Sequence, residues 1–453
     1  MHPDDALARD ARRVFGAAVR SVQAPVLLRD VDLDAVAGRP IRTFGRVVVV
    51  GAGKASIPLA GALDARLADV PVEGAVVVPA GYPATVPNTT PRPARIEVVE
   101  GGHPVPTPAG ARAAAEALAL AGAAGPDDLV LVLLSGGGSA LWTLPPPGVS
   151  LADLRATTRL LLAAGVPIDD VNTVRKHLSR IAGGRLALAA APARVVALVI
   201  SDVVGDDPAV IASGPTVPDP TTADDALGVL DAAGLLGRVP PAVRARLAAE
   251  GSGERPASPG PGHPAFRTAT TLVIGTNGTA LDAAAREAER LGYAVVGRSS
   301  VEGEAREVGR RVAETVRGAD ARATCRLWGG ETTVAVTGAG RGGRNQEVAL
   351  AAALALDGAD TDAVVLSLGT DGVDGPTDAA GGWASPHTAG RIRAAGLDPA
   401  ARLADNDAYA ALDAAGALVR TGPTHTNVAD VIVAMTAGTR TGGSPVEPAD
   451  GAP

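Results

Sequence analysis

The chain has one cysteine, Cys325, so no disulfide can form within it, and it has neither a Cys-x-x-Cys pair nor a His-Glu-x-x-His helix to supply a zinc shell. This fits a reducing compartment. Positive charge is not in excess: 41 Lys and Arg face 49 Asp and Glu, a formal charge of -8, and no basic tail or aromatic-interleaved basic stripe occurs. That argues against a dedicated nucleic-acid binder. No apolar run approaches the roughly 18 to 20 residues of a membrane span. The N-terminus, MHPDDALARDARRVF, is charged where a secretory signal would be apolar. The expectation is a cytoplasmic protein without a membrane or nucleic-acid partner. Aromatic residues are 2% of the chain, so Ala, Val and Leu must fill the core.

Lysine is the most informative scarcity. Only Lys54 and Lys176 interrupt a cation set that is otherwise all arginine. On surfaces the two residue types are nearly exchangeable, so a composition that has turned almost every cation into arginine leaves lysine mainly where a compact ammonium is needed. Both lysines are therefore functional candidates.

The 453 residues suggest two or three domains. Residues 46 to 50 (RVVVV), then GAGKAS, then IPLAGALDARL read as strand, tight loop and helix. The unit recurs in GAVVVPAG, DLVLVLLSGGGSAL and RVVALVISDVVGDDP, with helix patterns such as AGARAAAEALALAG between. Continuous apolar strands alternating with helices predict a mostly parallel sheet covered on both faces, an α/β architecture. Residues 251 to 264 (GSGERPASPGPGHP) read as a flexible linker or loop, and 438 to 453 as a disordered tail. The expected division is an N-terminal domain over 1–250 and a C-terminal α/β region over 265–437. There is no fixed-period repeat.

Ligands of open α/β sheets bind at the carboxyl ends of strands, and those positions here are polar and glycine-rich. In VVVVGAGKAS, Gly51 and Gly53 bring backbone N–H groups and a helix N-terminus to where an anion could bind. Ser56 replaces the third glycine of a dinucleotide fingerprint, and the next strand runs into Pro79 and Ala80 with no acid for a ribose hydroxyl. This favours a phosphate held by Lys54 over NAD; the alternative is a surface lysine on a first helical turn. Ser135, Gly136, Gly137, Gly138 and Ser139 form a backbone nest with a hydroxyl at each end, or a flexible loop. Asp202, Asp206 and Asp207 follow the next strand as cation ligands, proton acceptors or turn formers.

In the second half, GAGRGGRNQEVAL places Arg341 and Arg344 on a glycine-rich approach to a helix, where an arginine can clamp phosphate oxygens. LGTDGVDGPTDAAG adds Asp371, Asp374 and Asp378, and GPTHTNVAD adds Thr424, Thr426 and Asn427. His103 and His425 lie in candidate loops as hydrogen-bonding residues more readily than as ligands. With no nucleophilic triad and no thiol pair, the inventory suits phosphoryl transfer, which requires positioning and charge neutralisation.

Nine segments, VGAGKAS, GGHPVPTP, LLSGGGSAL, NTVRKHLSRIAGGRLA, LVISDVVGDDPAVIASGPTVPDPTT, GGETTVAV, GGRNQEVALAAAL, GTDGVDGPTDAAG and GPTHTNVAD, occur in this order. Together they closely resemble the glycerate 2-kinases whose C-terminal part carries the MOFRL domain, over about residues 10 to 435. The resemblance implies two α/β domains, the first Rossmann-like and the smaller second one containing the MOFRL part over about 325–435. It also implies transfer of the γ-phosphate of ATP to the C2 hydroxyl of D-glycerate, with Mg²⁺. Residues matching Lys54 and Arg344 stabilise the transferring phosphoryl group in that family. Those matching Asp202, Glu331, Asp371 and Asn427 line the cleft between domains, with Asp371 as the candidate metal ligand and Lys176 and the glycine loops on the substrate and nucleotide side. The chain departs from the family pattern at Ala182, where a lysine is usual, and at His425, where glycine is common. Competing readings are a hydroxypyruvate reductase and a non-catalytic sensor of sugar acids or nucleotides. The oligomeric state stays open, a homodimer included.

Overall fold

The structure is a computed structural model that describes residues 3–318 and 322–438; the tail expected to be disordered lies, from 439 onward, outside the described residues. The chain forms two compact units. An N-terminal unit comprises Val22–Thr276 with His425–Val428, and a C-terminal unit comprises the helix Pro3–Ser21, Asn277–Thr424 and the chain from Ala429. Among the described residues no helix is long and apolar enough to cross a membrane.

Six strands build the sheet of the N-terminal unit: β1 (Val47–Ala52), β2 (Val72–Pro79), β3 (Glu97–Gly101), β4 (Leu129–Leu134), β5 (Arg194–Ile200) and β6 (Ala269–Gly275). All pair in parallel, in the order β3-β2-β1-β4-β5-β6. This bears out the Rossmann-like reading. The reason lies in the side chains. Val47 to Val50 and Leu129 to Leu133 are entirely buried, as strands covered on both faces must be. Each such side chain contributes roughly 1.5–3 kcal/mol of apolar burial. The edge strands β3 and β6 carry most of the exposed and half-exposed positions.

The C-terminal unit holds β7 (Ala294–Glu304), β8 (Thr324–Thr333), β9 (Ala363–Gly369), β10 (Gly381–Ala384), β11 (Leu418–Val419) and β12 (Asp430–Thr436). Their order is β11-β10-β9-β12-β8-β7, with β7 and β8 parallel and every other pair antiparallel. The last strand, β12, is thus central in the second sheet. Its Ile432 and Ala434 pack with Val308, Val312, Val348 and Leu356 of two helices. Val431, Val433 and Met435, on the opposite face, are equally buried, and the helix Pro3–Ser21 packs on β12 and β9. That helix buries Leu7, Ala11, Val14, Phe15 and Ala18, the spacing of an amphipathic stripe. Cys325 pairs with Met435 across the sheet and is fully buried, which pushes its thiol up to about 12; it is an inert core residue.

Of the segment 251–264, residues 252–257 are exposed, whereas the Pro259 carbonyl accepts from Asp219 N–H at 3.1 Å and Pro259 is buried.

Candidate functional site

In the strand order 3-2-1-4-5-6 the chain reverses direction of winding between β1 and β4, which opens a crevice at the carboxyl ends of those two strands. The two glycine loops stand there and are stitched together. Lys54 N–H donates to the Gly136 carbonyl at 3.0 Å and Ala55 N–H to Ser135 Oγ at 3.0 Å. Glycine is required at both. A Cβ on Gly53, whose φ is +144°, would lie 2.1 Å from Ser135 Oγ. One on Gly136 would lie 2.1 Å from Asp202 Oδ2 and 2.2 Å from Asn427 Nδ2. Gly51 similarly faces the Leu133 carbonyl, Gly137 turns in the left-handed region beside His103, and Gly138 lies against Ala212. Ser135 is buried, Lys54 is half-buried, and the helix Ser56–Arg66 starts two residues after Lys54.

Asp202 follows β5, the neighbour of β4, and accepts from Asn427 Nδ2 at 2.7 Å. The structure therefore brings together Gly53, Lys54, Ser135 to Gly138, Asp202 and Asn427. Ser139 Oγ turns to Ser213 Oγ at 2.8 Å. Ala212 and Ser213 both have positive φ, 50° and 61°, a strained conformation for non-glycine residues of the kind that clusters at functional sites. His425 is buried, its Nε2 is 3.3 Å from Thr85 Oγ1 and its ring meets Tyr82 edge-on. Burial lowers its pKa, so it packs the loop as a neutral ring.

Lys176 sits elsewhere. It lies in the last turn of the helix Ile168–His177, is buried, and points Nζ to Asp219 Oδ1 at 3.6 Å. Beside it lies His177, which no sequence signal marked; its Nδ1 is 2.7 Å from Glu250 Oε1, which Arg185 also meets at 3.1 Å. Arg175, on the same helix, half-buries its side chain in a different direction, into a cavity lined by Ser139 and Ser213. Adjacent helical residues differ by about 100°, so Arg175 and Lys176 serve different neighbourhoods.

In the C-terminal unit, Arg344 begins the helix Arg344–Leu356. Asp430, at the start of β12, takes its guanidinium in two bonds, Nε at 2.6 Å and Nη2 at 2.9 Å. Glu331, at the end of β8 and half-exposed, faces Nη1 at 2.7 Å. Burial opposes the charge on Arg344, but Asp430 and then Glu331 outweigh it and raise the pKa above the ordinary value. Asp374 caps the helix, accepting from the N–H groups of Asn345 at 3.1 Å and Gln346 at 2.9 Å. Burial first and the nearby charge of Asp430 second push Asp374 up to about 6. Asn345 Nδ2 joins the cluster by donating to Asp430 at 2.9 Å.

Arg341 is committed to structure: it stacks 4.5 Å from the Tyr409 ring and donates to the Pro376 carbonyl at 3.1 Å. Gly338 and Gly340 pass so close to the Asp405 and Asp407 backbone that any side chain would clash, and Asn406 Oδ1 accepts from Thr337 and Gly338 N–H at 2.8 Å. This pinning aims the loop that delivers Arg344. Asp371 is buried with Oδ1 on Val373 N–H at 3.0 Å, and its carbonyl accepts from Thr424 N–H at 3.0 Å. Asp378 instead faces solvent, bonded to Tyr409 Oη at 2.8 Å and Arg420 Nε at 3.1 Å.

Asp430 is the functional candidate that sequence reasoning missed. Its signal was present, an acid opening a strand that is otherwise continuously apolar.

Among the described residues no three His, Cys, Asp or Glu side chains gather as a metal cage. Mg²⁺ does not need one, because it is usually held by one or two carboxylates with substrate phosphates and water. Asp202, packed against Gly136, fits that requirement as a single carboxylate.

Two family profiles match the chain: a domain of unknown function, DUF4147, over residues 10–248, and the MOFRL family over residues 324–430. A putative hydroxypyruvate reductase of Agrobacterium vitis is 44% identical over 93% of this chain and 92% of its own length. A glycerate 2-kinase of Pyrococcus horikoshii is 39% identical, covering 92% of this chain and 93% of that protein. The crystal structure of glycerate kinase from Thermotoga maritima superposes with a TM-score of 0.80 at 36% identity, over 96% of this chain and all of that one. With its parallel 3-2-1-4-5-6 sheet, stitched glycine loops and MOFRL-matching second unit, the chain belongs to the glycerate 2-kinase family that carries a C-terminal MOFRL region.

Proposed function

We infer that the protein transfers the γ-phosphoryl group of ATP to the C2 hydroxyl of D-glycerate, giving 2-phosphoglycerate and ADP. The observation that carries this reading is the crevice between β1 and β4, where Lys54 and a serine-flanked glycine nest meet beside Asp202. Phosphoryl transfer asks a protein mainly for positioning and for positive charge on the phosphoryl oxygens. Gly51, Gly53 and Gly136 to Gly138 let the backbone approach a phosphate, and Ser135 fixes the turn by accepting from Ala55 N–H.

Lys54 supplies a compact charge to the transferred group. Arg344 supplies a second, held in place through Nε and Nη2 by Asp430. The Nη1 edge meets only a half-exposed carboxylate, Glu331, which a more strongly charged phosphate displaces at little cost. Asp202, positioned by Asn427, holds the divalent cation or takes the hydroxyl proton. Mg²⁺ bound with the nucleotide would neutralise phosphate charge. Lys176, buried and paired with Asp219, is a structural support and not a direct contact of the transferred group. ATP, a small hydroxy acid and a buried free thiol suit a cytoplasmic setting.

The reductase named for one relative would need a nicotinamide site. Here Ser56 stands for the third glycine, and β2 ends at Pro79 without the acid that holds a ribose. The test is an assay with ATP, Mg²⁺ and D-glycerate coupled to enolase. Signal without added phosphoglycerate mutase is expected, and hydroxypyruvate should not oxidise NADH. Robust NADH turnover without ATP turnover would overturn the reading.

A further inference from the structure

A cavity beside the glycine nest has no role so far. It lies wholly within the N-terminal unit and is lined by Ser139, Trp142, Thr143, Arg175, Ser179 and Ser213, among others. Its volume is about 20 Å³, room for about one water-sized polar group such as a carboxylate end and not for a whole ligand. Two donors in its wall are left over. The Arg175 side chain makes no hydrogen bond or ion pair with any described residue, and burial lowers its pKa. Trp142 is 4% exposed and its indole N–H has no partner among the described residues. A buried donor without a partner, as at Trp142, is rarely left over without a reason.

The surrounding chain points the same way. Ser139 both ends the glycine nest and lines the cavity, so the two adjoin. Ser213 belongs to the strained turn with two non-glycine residues at positive φ. Ser139 and Ser213 bond to each other at 2.8 Å, and each hydroxyl keeps further hydrogen-bonding capacity. The chemistry needed is an anion with planar oxygens and a small polar body. A guanidinium reads a carboxylate in two parallel bonds, and Trp142 and Leu154 line the cavity as apolar walls. The nucleotide phosphate is assigned instead to the first glycine loop and the start of the helix after Lys54.

We propose that Arg175 is the specificity-determining residue that holds the carboxylate of the hydroxy-acid substrate, with Trp142 and the Ser139–Ser213 pair completing the pocket. This rests on the kinase reading above. It assigns each anion its own binder: Lys54 takes the phosphoryl group and Arg175 the carboxylate, so the C2 hydroxyl next to that carboxylate is presented to the nest. It also explains why the cation beside Lys176 points away from Asp219.

The test compares wild type with Arg175→Gln and Arg175→Lys, measuring KM for D-glycerate and for ATP separately. Removing one partner of a buried charged pair is expected to raise KM for D-glycerate roughly 100-fold in Arg175→Gln, with KM for ATP within twofold. Arg175→Lys should recover only part of the loss. Wild type should prefer D-glycerate to its uncharged amide, and Arg175→Gln should lose most of that preference.

An unchanged KM for D-glycerate, or a rise confined to ATP, overturns the assignment. If Arg175→Gln does not fold, Arg175→Lys and the amide comparison on wild type decide alone. Equal use of amide and acid by wild type then rejects it. Failure of the kinase reading looks different, because wild type itself would then show no ATP-dependent turnover. In that case D-glycerate is titrated calorimetrically into wild type and Arg175→Gln: binding lost in the variant supports the pocket, and equal binding or none rejects it.

Discussion

Lys54 and Asp374 show how much one side chain can be asked to do. If Lys54 places a compact charge on the phosphoryl group, Lys54→Ala should lower kcat by roughly 10² to 10⁴ while the fold survives. Lys54→Arg should fail nearly as badly, because a larger planar guanidinium does not place its charge where a compact ammonium does on a loop tied down by Ser135 and Gly136. Near wild-type kinetics in Lys54→Arg would show that its retention in an arginine-rich chain was chance. If Asp371 holds the divalent cation, Asp371→Asn should cost activity, since an amide keeps the buried shape but removes the charge a hard cation prefers, whereas Asp378→Asn, in an exposed ion pair, should change little. Parallel kinetics of the two variants separate these roles.

Asp374 carries a pH dependence. Its folded pKa of about 6 lies above the ordinary 3.8, so between those values the native state binds a proton that the unfolded chain has released. The contribution of this group to stability is therefore largest at acid pH and is lost as pH rises towards 6 and beyond. A carboxyl carbon-13 titration, assigned with Asp374→Asn, should show a midpoint near 6. A midpoint at the ordinary value would mean that neither burial nor Asp430 disfavours the charge on Asp374.

At the scale of elements, β1, β2, β4 and β5 of the first sheet were legible because burial leaves uninterrupted apolar runs, and the loops after β1 and β4 because glycine there has no substitute; the edge strand β3, EVVEG, has no such run and was not. The second sheet was less legible. β8 alternates and ends in GGETT, and β12 inserts between β8 and β9 from far along the chain, so nothing local announces that Asp430 meets Arg344. Arg175 was hidden for a similar reason: helical phase, not residue type, sends it to the cavity and Lys176 to Asp219. The 251–264 stretch divides into an exposed part and a docked part. A glutamate-specific protease should cut first after Glu254 and leave a nicked protein that melts within a few degrees of the intact one. Pro259→Gly, which loosens the segment bonded to Asp219, should lower the melting temperature more.

At the scale of the whole molecule, the division of the chain in space does not follow its division in sequence. The first helix, Pro3–Ser21, packs on Asn277–Arg290 and on β9 and β12, and Tyr293 Oη donates to Asp10 at 2.8 Å. A fragment of residues 265–438 should consequently be unstable alone and gain a cooperative transition when a peptide of residues 1–21 is added; full stability without the peptide would contradict this. The same arrangement bears on how the protein is made. A ribosome delivers the helix Pro3–Ser21 long before the central strand β12, so the C-terminal unit waits for segments far apart in the chain. During that interval the nascent chain displays an apolar helical stripe whose strand partners are still to be made and then, once β8 and β9 exist, open sheet edges on both, which makes this unit, more than the parallel sheet before it, the natural client of chaperones.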